Sequence, residues 1–415
     1  MARVVMKFGG TSVGSIERIR HVAGLVGAER AAGHEVVVLV SAMAGDTDRL
    51  VALVMEAGGY DPHLSMREYD AVVSSGEQVS AGLLALSLNA GGHAARSWTG
   101  WQIPMRTTDM HGRARITDIH AQELIRSLSQ GQIAVITGFQ GLAPDGAVST
   151  LGRGGTDTSA VAIAAAIRAD RCDIYTDVDG VYTTDPRIVQ KAHKLDKISY
   201  EEMLEMASLG AKVLQTRSVE MAMIHRVPLR VLSSFHEAGA QGQGTLVCDE
   251  EEIVETQVVS GITYSRDEAR VNLLQVEDQP GVASVIFGLL ADSNINVDMI
   301  VQNVSRSATQ TNMTFTVPES DLQKTLSVLT RNQARIGYGD LSSDDNVVKV
   351  SVVGVGMRSH AGTARTMFQS LAEKGINIQV ISTSEIKISV LIDAEYTELA
   401  LRTLHTAYGL DAPPE

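Results

Sequence analysis

Over the first 250 residues, β-branched runs alternate with helical patterns, and this alternation constrains the fold more than any other property of the chain. The runs are Arg3 to Phe8, Glu35 to Ser41, Gln132 to Thr137, Asp173 to Thr176 and Pro228 to Ser233. Helical spacing lies between them at Ile16 to Ala32, Asp46 to Glu56, Met66 to Asn89, Asp118 to Ser129, Thr158 to Ala169, Tyr200 to Ala207 and Lys212 to His225. Strand segments suited to burial on both faces, separated by helices, build a mostly parallel α/β sheet covered on both sides. Such sheets bind ligands beyond the carboxyl ends of their strands, so the residues following each run take priority.

The first run ends in Lys7-Phe8-Gly9-Gly10-Thr11-Ser12-Val13, with a helix opening just behind it. Bare glycine amides, a helix N-terminus and a lysine make a cradle for phosphate, although a plain glycine turn accounts for the same residues taken alone. After the second run comes a small-residue loop, Ser41 to Thr47, whose Asp46 or Thr47 also suits an N-cap. Ser74-Ser75-Gly76-Glu77 sets a carboxylate beside a glycine inside a helical segment. Glycine weakens a helix by about 1 kcal/mol relative to alanine, so its use implies a close approach by some other group.

Leu151-Gly152-Arg153-Gly154-Gly155-Thr156-Asp157 precedes an alanine-rich helix and offers an anion site with a bidentate donor. Neither glycine cluster fits G-x-G-x-x-G, and G-x-x-x-x-G-K-[ST] is absent, which disfavours dinucleotide-binding dehydrogenases and P-loop enzymes. The loop Thr176 to Arg187 gathers three acids, an aromatic and an arginine after a strand, a set suited to a nucleotide edge. Its Asp-Gly and Asp-Pro pairs are also ordinary turn signals.

Composition sets limits. A chain of 415 residues suits two or three domains, and a net charge of −14 argues against a nucleic-acid backbone or an anionic membrane as partner. Cys172 and Cys248 form no disulfide framework, and the eleven histidines show no metal spacing, so no protein metal site is expected. The N-terminal MARVVMKF lacks a long apolar core and the apolar run Ala160 to Ile167 is far short of a membrane span, so a cytoplasmic location is expected.

KFGGTSV, LGRGGTDTSA, TDVDGVYTTDPR and GAKVL, in that order, resemble the aspartate kinases of the amino-acid kinase superfamily. The resemblance implies catalytic roles for Lys7 and Asp157, and ATP with Mg²⁺ as phosphoryl donor. It places Lys7, Phe8, Gly9, Gly10, Ser41, Thr176, Asp177, Tyr182, Asp185, Arg187 and Lys212 around the nucleotide. Ser41, Thr47, Glu77, Arg153, Gly154, Gly155 and Thr156 would hold aspartate, with Glu77 near its amino group and Arg153 on a carboxylate. Thr156 stands where the family often has serine; both carry a hydroxyl. The acceptor carboxylate, with a pKa of about 4, is already ionised at pH 7 and needs no general base. The chain accordingly shows no hydroxyl-activating His or Asp signature.

The segment Phe235 to Glu255 reads as a boundary ending a catalytic domain of residues 1–250, and beyond it the chain repeats itself. Gly281 and Gly362, Phe287 and Phe368, Leu290 and Leu371, Ile295 and Ile376, and Asn296 and Asn377 are all 81 residues apart. Both copies, 265–340 and 341–415, run strand, glycine turn, helix, Ile-Asn, strand, and resemble paired ferredoxin-like ACT domains. By that resemblance Asp278, Gly281, Val282, Asn296, Asp298, Gln302 and Ser305 on one copy contact amino-acid effectors. Gly362, Asn377, Ile378 and Ser384 do so on the other. Asp298 would take a lysine ammonium, whereas the second copy has Gln379 there, so the two faces differ. Lysine, threonine or both are the inhibitors the resemblance implies, with the concerted pattern favoured. A homo-oligomer joined through the repeats is expected, and the lack of a methionine in Cys248 to Glu255 speaks against a separate regulatory chain. Two alternatives remain at this point: a kinase for another small carboxylate, carbamate or nucleoside monophosphate, and an amino-acid sensor whose kinase half is inert.

Overall fold

The computed structural model describes residues 1–58, 66–210, 213–236, 242–253, 258–304, 310–360 and 362–412. The chain divides into two compact units, one of Met1–Val181, Lys194–Ser208 and Lys212–Val254, the other of Tyr182–His193, Leu209–Ala211 and Glu255–Glu415.

In the first unit the order is β1 (Arg3–Phe8), α1 (Ile16–Ala31), β2 (Glu35–Val40), α2 (Asp46–Gly58), α3 (Met66–Val73), α4 (Ser75–Ala90), β3 (Ala95–Trp98), β4 (Met105–Thr107) and β5 (Ile116–Ile119). Then follow α5 (Gln122–Ser129), β6 (Ile133–Thr137), β7 (Gln140–Leu142), β8 (Val148–Thr150), α6 (Gly155–Ala166), β9 (Arg171–Thr176), β10 (Lys197–Ser199), α7 (Tyr200–Ser208), α8 (Thr216–His225), β11 (Leu229–Ser233) and β12 (Thr245–Cys248). Eight strands form one sheet in the order β10-β12-β11-β9-β1-β2-β6-β3. Every neighbouring pair is parallel except β11 with β12. Chain order reverses at β1, which lies between β2 and β9, and that is the switch point where such sheets bind ligands.

The strand period of two assigns the faces of β1. Val4, Met6 and Phe8 join Val36, Val38 and Val40 of β2 in a core with Ile19, Val22 and Val26 of α1 and Leu84 and Leu88 of α4. Lys7 consequently points to the opposite face, where α6 lies. The five strands read from the sequence are all present. The helix expected over 118–129 begins only at Gln122, because Ile116–Ile119 is a strand of a second, four-stranded sheet, β5-β4-β7-β8. One stretch, Met66–Ala90, is long and apolar enough by length and composition to cross a membrane, but half of that window is buried inside the protein.

The second unit contains β13 (Gly261–Ser265), β14 (Ala269–Glu277), α9 (Val282–Asp292), β15 (Ile300–Val304), β16 (Gln310–Val317), α10 (Leu322–Arg331), α11 (Gln333–Ile336), β17 (Asp340–Asp344), β18 (Val347–Val353), α12 (Thr363–Glu373), β19 (Val380–Thr383), β20 (Lys387–Asp393) and α13 (Thr397–Ala407). Its two antiparallel sheets run β15-β16-β14-β17 and β19-β20-β18-β13. The first module is a complete βαββαβ unit. The second has the same strand order, but its outermost position is filled by β13, from upstream of the first module, paired with β18. The two modules are therefore interleaved, and β17 crosses the boundary drawn at 340/341 from sequence. Met299 and Val301 of one copy pack with Val347, Val380 and Leu391 of the other.

Candidate active site

At the switch point a cavity of about 300 Å³ is lined by Lys7, Gly9, Gly10, Ser41, Thr47, Glu77, Phe139, Gly152, Arg153, Gly154, Gly155, Thr156, Asp157 and Gln215. Three strand ends and one helix start frame it: β1 gives the glycine pair, β2 gives Ser41, β6 leads to Phe139, and α6 begins at Gly155. Inside the cavity Lys7 Nζ lies 2.5 Å from Asp157 Oδ1, with both side chains about nine-tenths buried. Ser41 Oγ donates to Thr156 Oγ1 at 2.9 Å, tying the β2 loop to the first turn of α6.

Glu77 enters from α4. The Ala42 amide donates to its Oε1 at 3.0 Å, while its Oε2 is buried without a partner. Desolvation pushes this carboxyl up to about 7, and the Ala42 bond only partly offsets the rise. A buried oxygen aimed into a cavity with no donor awaits one, and an ammonium group supplies it. The close approach implied by Gly76 is this same loop: a Cβ at Gly76 would come within 2.7 Å of Ala42 Cβ.

Gly154 caps α6 in the left-handed region, φ 71°, and a Cβ there would overlap the Gln215 side chain. Alanine at 154 therefore meets strain and a clash together. Gly154→Ala is expected to lower kcat/KM for the amino-acid substrate about tenfold, because misplaced anion donors lose transition-state contact. Steady-state kinetics checks it, and an unchanged ratio would show that the loop adapts freely.

Positive donors, bare amides and a buried carboxylate around one cavity suit phosphoryl transfer to an amino acid, and comparison with known proteins agrees. A model of the Amino acid kinase family matches residues 2–233, and an ACT domain model matches 274–333 and 350–408. The aspartokinase of Pseudomonas aeruginosa is 53% identical over 415 residues, 100% of this chain and 99% of that protein. The chain belongs to the aspartate kinase family. The aspartokinase of Corynebacterium glutamicum is 45% identical over 419 residues, covering 100% of this chain and 98% of the relative. A crystal structure of E. coli aspartokinase III in complex with aspartate and ADP superposes with a TM-score of 0.80 at 27% identity, covering 97% and 99% of the two chains. The same enzyme in complex with lysine and aspartate gives 0.76 at 28% identity, covering 98% and 99%. As an aspartate kinase the protein is a phosphotransferase with a carboxyl group as acceptor.

Of the residues assigned to aspartate, Ser41, Thr47, Glu77, Arg153, Gly154, Gly155 and Thr156 all line this cavity, together with Lys7, Gly9, Gly10 and Asp157. Phe8 does not. Its fully buried ring stacks on Tyr175 with centroids 4.5 Å apart, on the face of β1 opposite Lys7, so only its backbone is left for a ligand. Thr176 ends β9, beside β1, and donates to Asp177 Oδ1 at 3.1 Å; neither lines the cavity. Lys212 lies outside the described residues. Sequence reading missed Phe139 and Gln215 in the lining and took Gly152 only as part of the glycine loop. Phe139 follows β6, a run already singled out, whereas Gln215 carries no local signal.

Tyr182, Asp185 and Arg187 belong to the second unit. There Thr183 accepts from the Ile262 amide at 2.7 Å, and its hydroxyl sits 2.9 Å from Nε2 of the fully buried His405. The Arg187 guanidinium holds the Asp185 carboxyl below its ordinary range, and Tyr264 donates to Asp185 at 3.4 Å.

Among the effector candidates, Gly281 caps α9 with φ 98°, while Gly362 before α12 has an ordinary φ of −90°. Asn296 and Asp298 lie between α9 and β15, Asn377 and Ile378 between α12 and β19, and Gln302 is on β15. Asp278 follows β14, Val282 opens α9, and Ser384 follows β19 with its amide on Lys387 O. Ser305 lies outside the described residues. Asp298 already faces a cation of the protein itself: it pairs with Lys349 of β18, which also pairs with the buried Glu268. Burial disfavours the Lys349 charge, but the two carboxylates outweigh it and raise its pKa. This pairing joins segments 51 residues apart and has no sequence signature.

Proposed function

We propose that the chain moves the γ-phosphoryl group of ATP to the side-chain carboxylate of L-aspartate, yielding 4-phospho-L-aspartate and ADP. This would be the first committed step toward lysine, threonine and methionine, carried out in the cytoplasm by a homo-oligomer joined through its ACT modules. The observation that carries the reading is the meeting of Lys7, the glycine pair, Glu77 and Arg153 around one cavity. In this reading the Gly9 and Gly10 amides and Lys7 take the phosphates, Arg153 takes a substrate carboxylate, and Glu77 takes the ammonium through its unpartnered oxygen. An acceptor that is already anionic leaves positioning and charge neutralisation as the work to be done. Among the described residues no group of three or more His, Cys, Asp or Glu is placed to hold a metal. Mg²⁺ would arrive on the nucleotide, and the Asp157 carboxylate beside Lys7 is the protein group that would hold it. When bound, the ion would supply neutralisation of phosphate charge. Hydroxamate trapping of the acyl phosphate tests the reaction: product must form with ATP and aspartate together and with neither alone.

Lysine, threonine or both are the proposed inhibitors, supported by the ACT repeats and by the complex of the E. coli relative with lysine. An inhibitor acts by its differential affinity for two arrangements of the protein. Because Lys349 already neutralises Asp298, an incoming lysine must exchange one ammonium for another. Asp298→Ala is expected to raise the lysine concentration for half-inhibition about tenfold, the cost of one charge-assisted contact, with the uninhibited rate within twofold. Inhibition curves with lysine, threonine and the pair check this, and an unchanged lysine curve would move the effector elsewhere.

A further inference from the structure

Outside the cavity, Asp70 on α3 is fully buried, yet it is saturated with donors. Its Oδ1 accepts from the Thr150 hydroxyl at 2.6 Å and its Oδ2 from the Thr150 amide at 2.9 Å. The Gly112 amide lies 3.1 and 3.0 Å from the two oxygens, and His111 Nδ1 is 2.8 Å from Oδ2. One carboxylate thereby fastens the end of β8 to the turn between β4 and β5.

What lies downstream gives the clamp its meaning. Thr150 is followed by Leu151, Gly152 and Arg153, the last two in the cavity lining. The Gly112 carbonyl held beside Asp70 sits where it would be 3.1 Å from a Cβ on Gly152, so the two turns are in close contact. Ala114 donates to Thr150 O at 2.9 Å, and Arg217 donates to both Leu151 O at 2.7 Å and Ala114 O at 3.2 Å. The β8 end is thus fixed from one side by Asp70 and from the other by Arg217, with Arg153 on the short turn that leads from it into α6.

We propose that Asp70 is a positioning residue for the aspartate subsite, acting through Thr150 and Gly112 on the placement of Arg153. It touches neither substrate. The proposal rests on the reading of Arg153 as a holder of aspartate. Asp70→Asn keeps the shape but turns one acceptor oxygen into a donor that faces other donors. A shift of the turn reaches the aspartate contact and leaves the Lys7 and glycine-pair end alone.

The test is steady-state kinetics of the full-length enzyme with aspartate and ATP varied separately, alongside thermal melts. Asp70→Asn is expected to raise KM for aspartate about tenfold, with KM for ATP and kcat within about twofold, as misplacement of a binding group predicts. Thr150→Val, which removes only the hydroxyl bond, should shift the same constant the same way by about threefold. If Asp70→Asn does not fold, Thr150→Val decides the question. An unchanged KM for aspartate, or equal changes in both KM values and kcat, would reduce Asp70 to a folding role and overturn the proposal. Arg153→Ala separates the two levels: if it leaves aspartate KM unchanged, the reading of Arg153 fails instead.

Discussion

Lys7→Ala is expected to lower kcat by about 10³-fold while aspartate and ATP still bind, since one preorganised donor to a developing charge contributes on that scale. The residue has a second role that the experiment must separate. Its ammonium neutralises Asp157 inside the protein, and removing one partner of a buried pair costs about 3–5 kcal/mol of stability. Alanine should therefore lower the melting temperature as well as the rate. Combining Lys7→Met with Asp157→Asn removes both charges and should restore most of the lost stability without restoring turnover. Hydroxamate formation by the two variants, with melts beside it, makes the measurement. A folded Lys7→Ala protein that retains a tenth of the wild-type rate would show that the transferring group is stabilised elsewhere.

The parts of this arrangement that sequence revealed are those written in local chemistry. A strand ending in Lys7 and two glycines, a glycine-arginine turn before α6, and apolar spacing in α9, α12 and β18 each carry their own signal within a few residues. Helices Val282–Asp292 and Thr363–Glu373 follow Gly281 and Gly362, as the repeat of glycine turn and helix requires. Non-local relations were hidden. Strands β4, β5, β7 and β8 are three or four residues long, too short for a period of two to register, and the end of Ile116–Ile119 falls inside the helix pattern read from Asp118. The pairing of β13 with the second module depends on a strand 84 to 92 residues further on, since Ser265 pairs with Lys349 and Gly261 with Val353. Phe8 was read with its neighbours as a ligand contact, but alternation along a strand puts adjacent side chains on opposite faces. Asp298 illustrates the same limit in charge: a carboxylate that looks unclaimed in sequence is claimed by Lys349 in space.

Glu77→Gln is expected to weaken aspartate binding about 100-fold, near the upper end for a charge-assisted contact, while making the free protein more stable. Both follow from a carboxyl that burial has pushed up to about 7. In the folded state it holds its proton more tightly than in the unfolded chain, where its pKa is near 4.5. Stability from this group is thus fully present below pH 4.5 and is lost as pH rises through about 7, by roughly 3 kcal/mol in all. Glutamine keeps the oxygen that accepts from Ala42 but has no charge to bury, so its melting temperature should exceed that of the wild type at pH 8 and match it near pH 5. Activity runs the other way. Aspartate needs the ionised form, so kcat/KM for aspartate should fall up to tenfold for each pH unit below 7, and this limb should vanish in the glutamine variant. At saturating aspartate the limb should move to lower pH, because the bound ammonium favours the carboxylate. A stability cost in the free enzyme and a binding gain in the complex would then have one origin, a single buried oxygen left without a donor until substrate arrives. Equal pH profiles for wild type and Glu77→Gln would break that link and assign the ammonium to another group.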